Sequence, residues 1–186
     1  MWAIWNGSQD IALYLIEHGV DVLQQDTHQT TALHIALIKN ANLATHLATQ
    51  TEIDPTDKDI FQCNSLMQAA KQGNLELINK LAPNSEAINE SDQQGTTALM
   101  QAAIMNHHLA LQLLLQSGAD IDICDHHGNN ALIYTARNKN DQTEAAQILL
   151  ESEADVKSRN NKNQTPLHIA VKQRNYHLAQ IGRAHV

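Results

Sequence analysis

The side chains in this sequence that could do chemistry are eleven histidines, two cysteines and 20 acidic residues. Two adjacent histidine pairs, His107-His108 and His126-His127, offer imidazole ligands for a metal ion such as zinc, to which the cysteines could add thiolates. The sequence contains no G-x-S-x-G nucleophile motif, no P-loop, no glycine-rich phosphate loop and no H-E-x-x-H motif. We therefore expect no catalytic residue, no small-molecule substrate and no cofactor, so the chain is not expected to be an enzyme.

Composition restricts the remaining classes of function. Of the 186 residues, 42% are hydrophobic and 17% are charged, which is enough apolar material for a core. With 12 basic and 20 acidic residues the net charge is -8, and no basic cluster is present, so we expect no nucleic-acid partner. No apolar run reaches 18 residues, which argues against membrane insertion. Two cysteines cannot form a disulfide framework, so a reducing, cytoplasmic location is expected.

A repeat of 33 residues organises the chain. Leucines recur at spacings of 33, 33, 33 and 35 residues, at Leu33, Leu66, Leu99, Leu132 and Leu167. Seven residues before each leucine stand Asp26, Asp59, Asp92, Asp125 and Asn160. Three residues after each leucine stand Ala36, Ala69, Ala102, Thr135 and Ala170. Aligned columns at one period indicate stacked supersecondary units that bury one continuous core.

The period and its motifs resemble those of ankyrin repeats. Residues 92–103 read D-Q-Q-G-T-T-A-L-M-Q-A-A, residues 117–122 read S-G-A-D-I-D, and residues 165–168 read T-P-L-H. This resemblance implies a mainly α solenoid of paired antiparallel helices with β-hairpin-like turns. It also implies about six repeats, of which both terminal ones are incomplete. Because only Pro166 opens a first helix, and Gly73 is the one family glycine kept between helices after Gly7, we expect reduced stability but the same fold.

The repeat boundaries follow from this alignment. The partial and complete repeats are expected at 1–25, 26–58, 59–91, 92–124, 125–159 and 160–180. The repeat at 125–159 has a two-residue insert, which we place between Asn138 and Gln142. The chain is expected to begin inside a first helix and to end inside a second one. Residues 181–186 break the pattern and resemble translated adapter DNA, so we expect a non-native tail.

Local physical chemistry predicts the elements of each repeat. The periodic aspartates should accept backbone N–H bonds in tight turns, where Gly95 and Gly128 supply positive φ. Helix N-caps are expected at Thr31, Thr97 and Thr165. First helices are predicted at 32–38, 65–72, 98–105, 131–138 and 166–173. Second helices are predicted at 8–17, 42–50, 75–82, 108–116, 142–151 and from 176 onward, with an apolar stripe such as Leu109, Leu111, Leu113, Leu114 and Leu115.

The resemblance also decides against a metal site. His34 and His168 occupy the T-P-L-H column, where the family histidine makes a structural hydrogen bond. The two histidine pairs fall at opposite ends of a repeat, so they cannot share a metal whose bonds are roughly 2 Å long. Cys63 lies two repeats from the second cysteine, too far for a disulfide, and free thiols are expected.

What remains is a surface for a partner. In ankyrin proteins the turn tips and the exposed ends of first helices line the concave side and usually contact partners. Here most of those positions are polar, but four are apolar, and an apolar group in an exposed groove indicates a contact site. With their polar neighbours, the candidate partner-binding residues are Ile60, Phe61, Gln93, Gln94, Ile104, Met105, His126 and His127. The alternative is that Phe61 folds back onto its own turn or covers a neighbour.

Three functions remain open from the sequence. The first is a protein-binding scaffold that grips an unknown protein partner along the concave face. The second is the recognition arm of a larger enzyme, membrane protein or secreted bacterial effector, which would act in the host cytoplasm. The third is a spacer in an elongated array, against which the apolar positions argue.

Overall fold

Two layers of short helices make up the molecule. The computed structural model describes residues 1–50, 54, 56–83, 86–138, 143–176 and 179–180. Within these residues the α-helices are α1 Trp2–Trp5, α2 Gln9–Glu17, α3 Ala32–Lys39, α4 Ala41–Gln50, α5 Ser65–Gln72, α6 Leu75–Leu81, α7 Ala98–Ile104, α8 His108–Gln116, α9 Ala131–Arg137, α10 Glu144–Glu151 and α11 Pro166–Gln173. A short 3-10 helix spans Glu86–Asn89. This part of the chain has no β-strand, and isolated β-bridges close two of the turns.

Helix contacts follow the repeat. The first helices α3, α5, α7, α9 and α11 contact one another in chain order, and the second helices α4, α6, α8 and α10 do the same. Each first helix from α3 to α9 also packs against the second helix that follows it. The short helix α1 contacts α2 and α3 in the manner of a first helix. The expected mainly α solenoid of paired helices is therefore confirmed.

Helix bounds agree closely with the sequence predictions. The first helices begin where expected, and their ends differ by at most one residue. Helix α10 begins at Glu144 rather than at 142. Most of the predicted insert and the tail at 181–186 lie outside the described residues, as does much of the second helix expected from 176 onward.

Side-chain caps start every first helix from α3 to α11. Thr31, Thr97 and Thr165 each accept a hydrogen bond from the backbone N–H three residues later, as predicted. Asn64 and Asn130 do the same for α5 and α9, which the sequence analysis missed. Because an N-cap satisfies one of the orphan N–H groups of a helix, one polar residue per repeat fixes where each helix begins.

The core lies between the two layers. The alanine column is at most 3% exposed, including Thr135, so adjacent first helices approach closely. In α8 the predicted leucine stripe is narrower than expected. Leu111 and Leu114 are fully buried, but Leu109 is 50% exposed, because the helical period turns it away from α7.

Candidate protein-binding face

Hydrogen bonds between neighbouring repeats fix the backbone of the turn tips. The Ile60 N–H donates to the His28 carbonyl at 3.2 Å, and the Gln93 N–H donates to the Phe61 carbonyl at 3.0 Å. In the same way, the His126 N–H donates to the Gln94 carbonyl at 3.0 Å, and the Asn161 N–H donates to the His127 carbonyl at 2.9 Å. The tips therefore form one continuous ladder, which the sequence pattern did not reveal. It brings six of the eight candidate residues into one row: Ile60, Phe61, Gln93, Gln94, His126 and His127.

The periodic aspartates hold each tip in shape. In every turn the side-chain oxygen of the Asp or Asn accepts two backbone N–H bonds, from the residues two and four positions later, at 2.7–3.0 Å. The bond from the Thr30 N–H is the main cause that lowers the pKa of Asp26. The two residues at the tip of each turn form the tip pairs Thr27/His28, Ile60/Phe61, Gln93/Gln94, His126/His127 and Asn161/Lys162. The residue immediately after each tip pair has positive φ. Gly95 and Gly128 do so as predicted, but Gln29, Gln62 and Asn163 adopt the same conformation without being glycine.

We use the name inner face for the surface formed by the tip pairs and by the last residues of the first helices. Its apolar positions are exposed to different degrees. Phe61 is 62% exposed, Met105 is 48% exposed and Ile60 is 38% exposed, whereas Ile104 is half-buried. Most of the Phe61 side chain is therefore open to solvent, which argues against the alternative that it folds back onto its own turn or covers a neighbour. Ile104 contributes less free surface than the sequence suggested, because it still lies within the last turn of α7.

The apolar positions do not form one patch. Ile60 and Phe61 precede the first helix of their repeat, whereas Met105 follows the first helix of the next repeat. A seven-residue helix is about 10 Å long, so the two apolar pairs are separated by roughly that distance along the helix layer. The inner face therefore offers two separate apolar contacts with polar residues between them.

A polar network in the repeat at 125–159 connects the turn that holds His126 and His127 to helix α9. The Tyr134 hydroxyl donates to the carboxylate of Asp125, and the Asn129 amide donates to both oxygens of the same carboxylate. Arg137 donates to Asn129 at 2.8 Å, and its guanidinium lies 5.0 Å from the Tyr134 ring centre. Asn160 of the next repeat also donates to Asn129, at 3.2 Å. The network therefore joins two neighbouring repeats by hydrogen bonds and orients the exposed guanidinium of Arg137.

Burial and hydrogen bonding shift the pKa values of two groups in this network. Burial acts to raise the pKa of Asp125, but the hydrogen bonds from Asn129, Tyr134 and the His127 backbone together lower it. Burial, followed by the bond to Asp125, raises the pKa of Tyr134 to about 12. Both groups therefore keep their charge state across the physiological range, which suits a structural role.

Two histidines and a cysteine of the first-helix regions also make local structural contacts. His34 is 1% exposed, and its Nδ1 accepts the Thr31 N–H at 3.3 Å, while burial lowers its pKa. The Nδ1 of His34 also lies 3.0 Å from the Thr31 hydroxyl oxygen, and the Nδ1 of His168 lies 2.7 Å from that of Thr165. Cys63 is buried, and burial followed by nearby aspartates raises the pKa of its thiol to about 12.

A surface cleft lies at the start of α8. It has a volume of about 280 Å³, and its lining includes His107, His108 and Glu144. Across the described ranges, no group of three histidine, cysteine or acidic side chains is arranged to hold a metal ion. Nor does any helix among those residues have both the length and the apolar character needed to cross a bilayer.

Comparisons with known proteins agree with this architecture. The family model for ankyrin repeats, in three copies, matches residues 66–160 and 109–181. The structure resembles an ankyrin repeat domain from Acinetobacter baumannii AYE with a TM-score of 0.82 at 20% identity, over 99% of this chain and 95% of that one.

Curated relatives are much longer than this chain. The ankyrin repeat and SAM domain-containing protein 6 of Mus musculus is 33% identical over 133 residues, covering 69% of this chain and 15% of that protein. An L-asparaginase of Dirofilaria immitis is 28% identical over 172 residues, covering 92% of this chain and 29% of that protein. A transient receptor potential cation channel subfamily A member 1 homolog of Caenorhabditis elegans is 31% identical over 123 residues, covering 66% of this chain and 10% of that protein. Since the family match covers more than half of its length, the chain belongs to the ankyrin-repeat family.

Proposed function

We propose that this chain is a protein-binding module that holds its partner on the inner face. The observation that carries the proposal is the exposure of Phe61 and Met105, two large apolar side chains on a face whose positions are mostly polar, where Ile38 and Ile60 are also exposed. Exposed apolar side chains on a rigid backbone make good interface anchors, because little conformational freedom is lost when they are covered. Gln93, Gln94, His126 and His127 would supply the polar rim.

The test is partner capture by variants of the two anchors. The double variant Phe61→Ala/Met105→Ala should reduce partner capture from an extract of the source cells by about 10-fold or more, since interface anchors contribute roughly 1–2 kcal/mol each. Its melting temperature should not fall, because both side chains face solvent. Leu109→Ala is the matched control, since Leu109 is 50% exposed in the same repeat but lies on the second helix. Equal capture by all three proteins would refute the assignment of these anchors.

A second proposal concerns the context of the module. The chain spans only 10–29% of the length of the three curated relatives above, and these include a protein named as an enzyme and one named as a channel homolog. We propose that the module can serve as the recognition arm of such a longer protein, whose activity resides elsewhere in it. Reading the DNA on both sides of the coding segment tests this. An open frame that continues into a catalytic or membrane-spanning region supports the recognition arm, and a nearby stop codon supports a free adaptor.

A further inference from the structure

Charge is distributed unevenly over the first helices. None of α3, α5, α7, α9 and α11 contains an Asp or a Glu, although the whole chain has 20. Four of these helices carry a cation in the last turn, at Lys39, Lys71, Arg137 and Lys172. The remaining helix, α7, ends at Ile104 and is followed by Met105. In a protein with a net charge of -8, the inner face thus has two cations on each side of an apolar centre.

These four cations are available to a partner. All four are exposed. In the part of the chain that the structure describes, none of them has a carboxylate oxygen within 4 Å, and the ion pair found there joins Lys58 to Glu90. The amine of Lys39 lies 4.4 Å from the ring centre of Trp5.

The turn tips also lack negative charge. The five tip pairs contain no acidic residue, and they add the cation of Lys162 and the imidazoles of His28, His126 and His127. Among the described residues, each turn from the first to the fourth begins with an aspartate, at 26, 59, 92 and 125. Asp59 and Asp125 are buried, Asp92 is half-buried, and only Asp26 is exposed. Because three of these four carboxylates are buried or half-buried, the described part of the inner face exposes mostly positive charge.

Helix dipoles alone do not explain this pattern. A cation in the last turn stabilises its own helix, and Lys80 occupies such a position in the second helix α6. The dipole favours acidic residues in the first turn, yet no first helix from α3 to α11 has one there. The second helices α2, α6 and α10 do carry an acidic residue in the first turn. The second helices α4 and α8 have none there, so acidic residues are absent from all five first helices but from only some second helices.

We propose that the inner face binds an extended acidic segment of a partner protein, with an apolar side chain near the middle of the segment opposite Met105. This inference rests on the proposed protein-binding function. Four helix-to-helix steps of about 10 Å separate Lys39 from Lys172, a span of about 40 Å. An extended chain covers this distance with about 12 residues. Arg137 is already oriented by Asn129 and Tyr134, which prepares it for a carboxylate.

A nucleic acid fits the same face less well. Duplex DNA has one phosphate per roughly 1.7 Å of its axis, whereas the inner face offers about one helix cation per 10 Å. The overall charge of -8 would repel a polyanion of that density. An acidic peptide carries fewer charges and can place an apolar side chain on Met105.

The experiment selects ligands without assuming their sequence. A phage library of random 12-residue peptides is enriched on the wild-type chain, and the enriched peptides are synthesised and measured by fluorescence anisotropy. The test variant is Lys39→Glu/Lys71→Glu/Arg137→Glu/Lys172→Glu. The same four positions changed to Gln give a second variant that avoids unfavourable charges at helix C-termini. The matched control Lys80→Glu/Lys157→Glu changes exposed cations away from the inner face.

The inference predicts that enriched peptides contain more Asp and Glu than the starting library. Their affinity should fall by about 10-fold or more in the Glu variant, less in the Gln variant and not in the control, and it should weaken with added salt. Binders that show no acidic bias but depend on Phe61 and Met105 would overturn the charge inference and leave the proposed function intact. Binders insensitive to both sets of substitutions would overturn both. Tighter binding of a 20-nucleotide single-stranded DNA, lost in the Glu variant, would replace the peptide by a nucleic acid.

Discussion

Gly95 lies where two repeats touch at their turn tips, and its replacement by alanine tests how the ladder is held. Its φ is +80°, and a Cβ built there would lie 2.9 Å from His126 Cδ2, 3.0 Å from the His126 backbone nitrogen and 3.1 Å from Asp125 Cα. Two of these three atoms belong to the backbone, so they cannot move aside as the end of a flexible side chain could. Gly95→Ala must therefore shift the next tip as well as strain its own turn.

The expected change in the free energy of unfolding on Gly95→Ala combines three effects. Positive φ costs an alanine about 1–2 kcal/mol, and forcing a methyl group into a closely packed contact costs about 1–3 kcal/mol. The lower entropy of the unfolded alanine chain offsets about 0.4–1 kcal/mol. The expected net loss in the free energy of unfolding is therefore about 1–5 kcal/mol, with a central value of about 3 kcal/mol. Gly118→Ala is the control, since Gly118 has φ +92° but nothing within 4 Å of the added Cβ, and it should lose only about 1 kcal/mol.

The assay is urea unfolding followed by circular dichroism at 222 nm, which reports on the helices of all repeats. Trp2 and Trp5 lie at one end of the array, so their fluorescence provides a second, local probe of whether unfolding is two-state. A destabilisation by Gly95→Ala that matches that of Gly118→Ala within about 0.5 kcal/mol, the usual spread between unrelated surface sites, would refute the reasoning. It would mean that tip contacts between repeats contribute no close packing.

Three further predictions concern the scaffold. Because burial lowers the pKa of His34 below that of the unfolded chain, acidification should protonate the unfolded state first, so stability is complete above about pH 6.5 and falls below it. His34→Gln should flatten the dependence of urea midpoints on pH between 5 and 7, and His168→Gln, at an exposed site, should not. Asn64→Ala should cost about 1 kcal/mol in urea unfolding through loss of the α5 cap. Cys63 should react with a thiol reagent only on unfolding, whereas the exposed Cys124 should react in the native state, as mass spectrometry of alkylated protein can measure.

The sequence predicted the parts of the fold that each repeat makes alone. The aspartate at the start of a turn, the N-cap and the buried leucine all act on residues within a few positions of themselves. Their types are therefore dictated locally, and they recur at the repeat period. Asn64 and Asn130 escaped prediction only because asparagine substitutes for the threonine of the family motif, although both residues are good N-caps.

Features that join neighbouring repeats could not be predicted from the sequence in the same way. The network around Asp125 unites residues 4, 9 and 12 positions away in the chain with Asn160 of the next repeat. Positive φ at Gln62 was equally hidden, because the side chain is unsuited to it and the turn imposes it. The exposures of Phe61 and Ile104 depend on where the adjacent helix ends, and the residue types alone do not determine that point.

The contrast between features made within one repeat and features that join repeats also explains why side chains of the inner face can vary at little cost to the stability of the fold. The ladder bonds join backbone groups of neighbouring tips, and the aspartates below them accept backbone N–H bonds. Only the side-chain amides of Gln93 and Asn161, among the described tip residues, add a bond to the preceding tip. A tip such as Gln94 can therefore change its side chain while the ladder persists, whereas the glycine beside it cannot. The columns that repeat stabilise the fold, and on the proposed function the positions that differ from repeat to repeat would determine binding. A partner should thus be sought through the departures from the repeat pattern, first among them Phe61, Met105 and the cations that flank them.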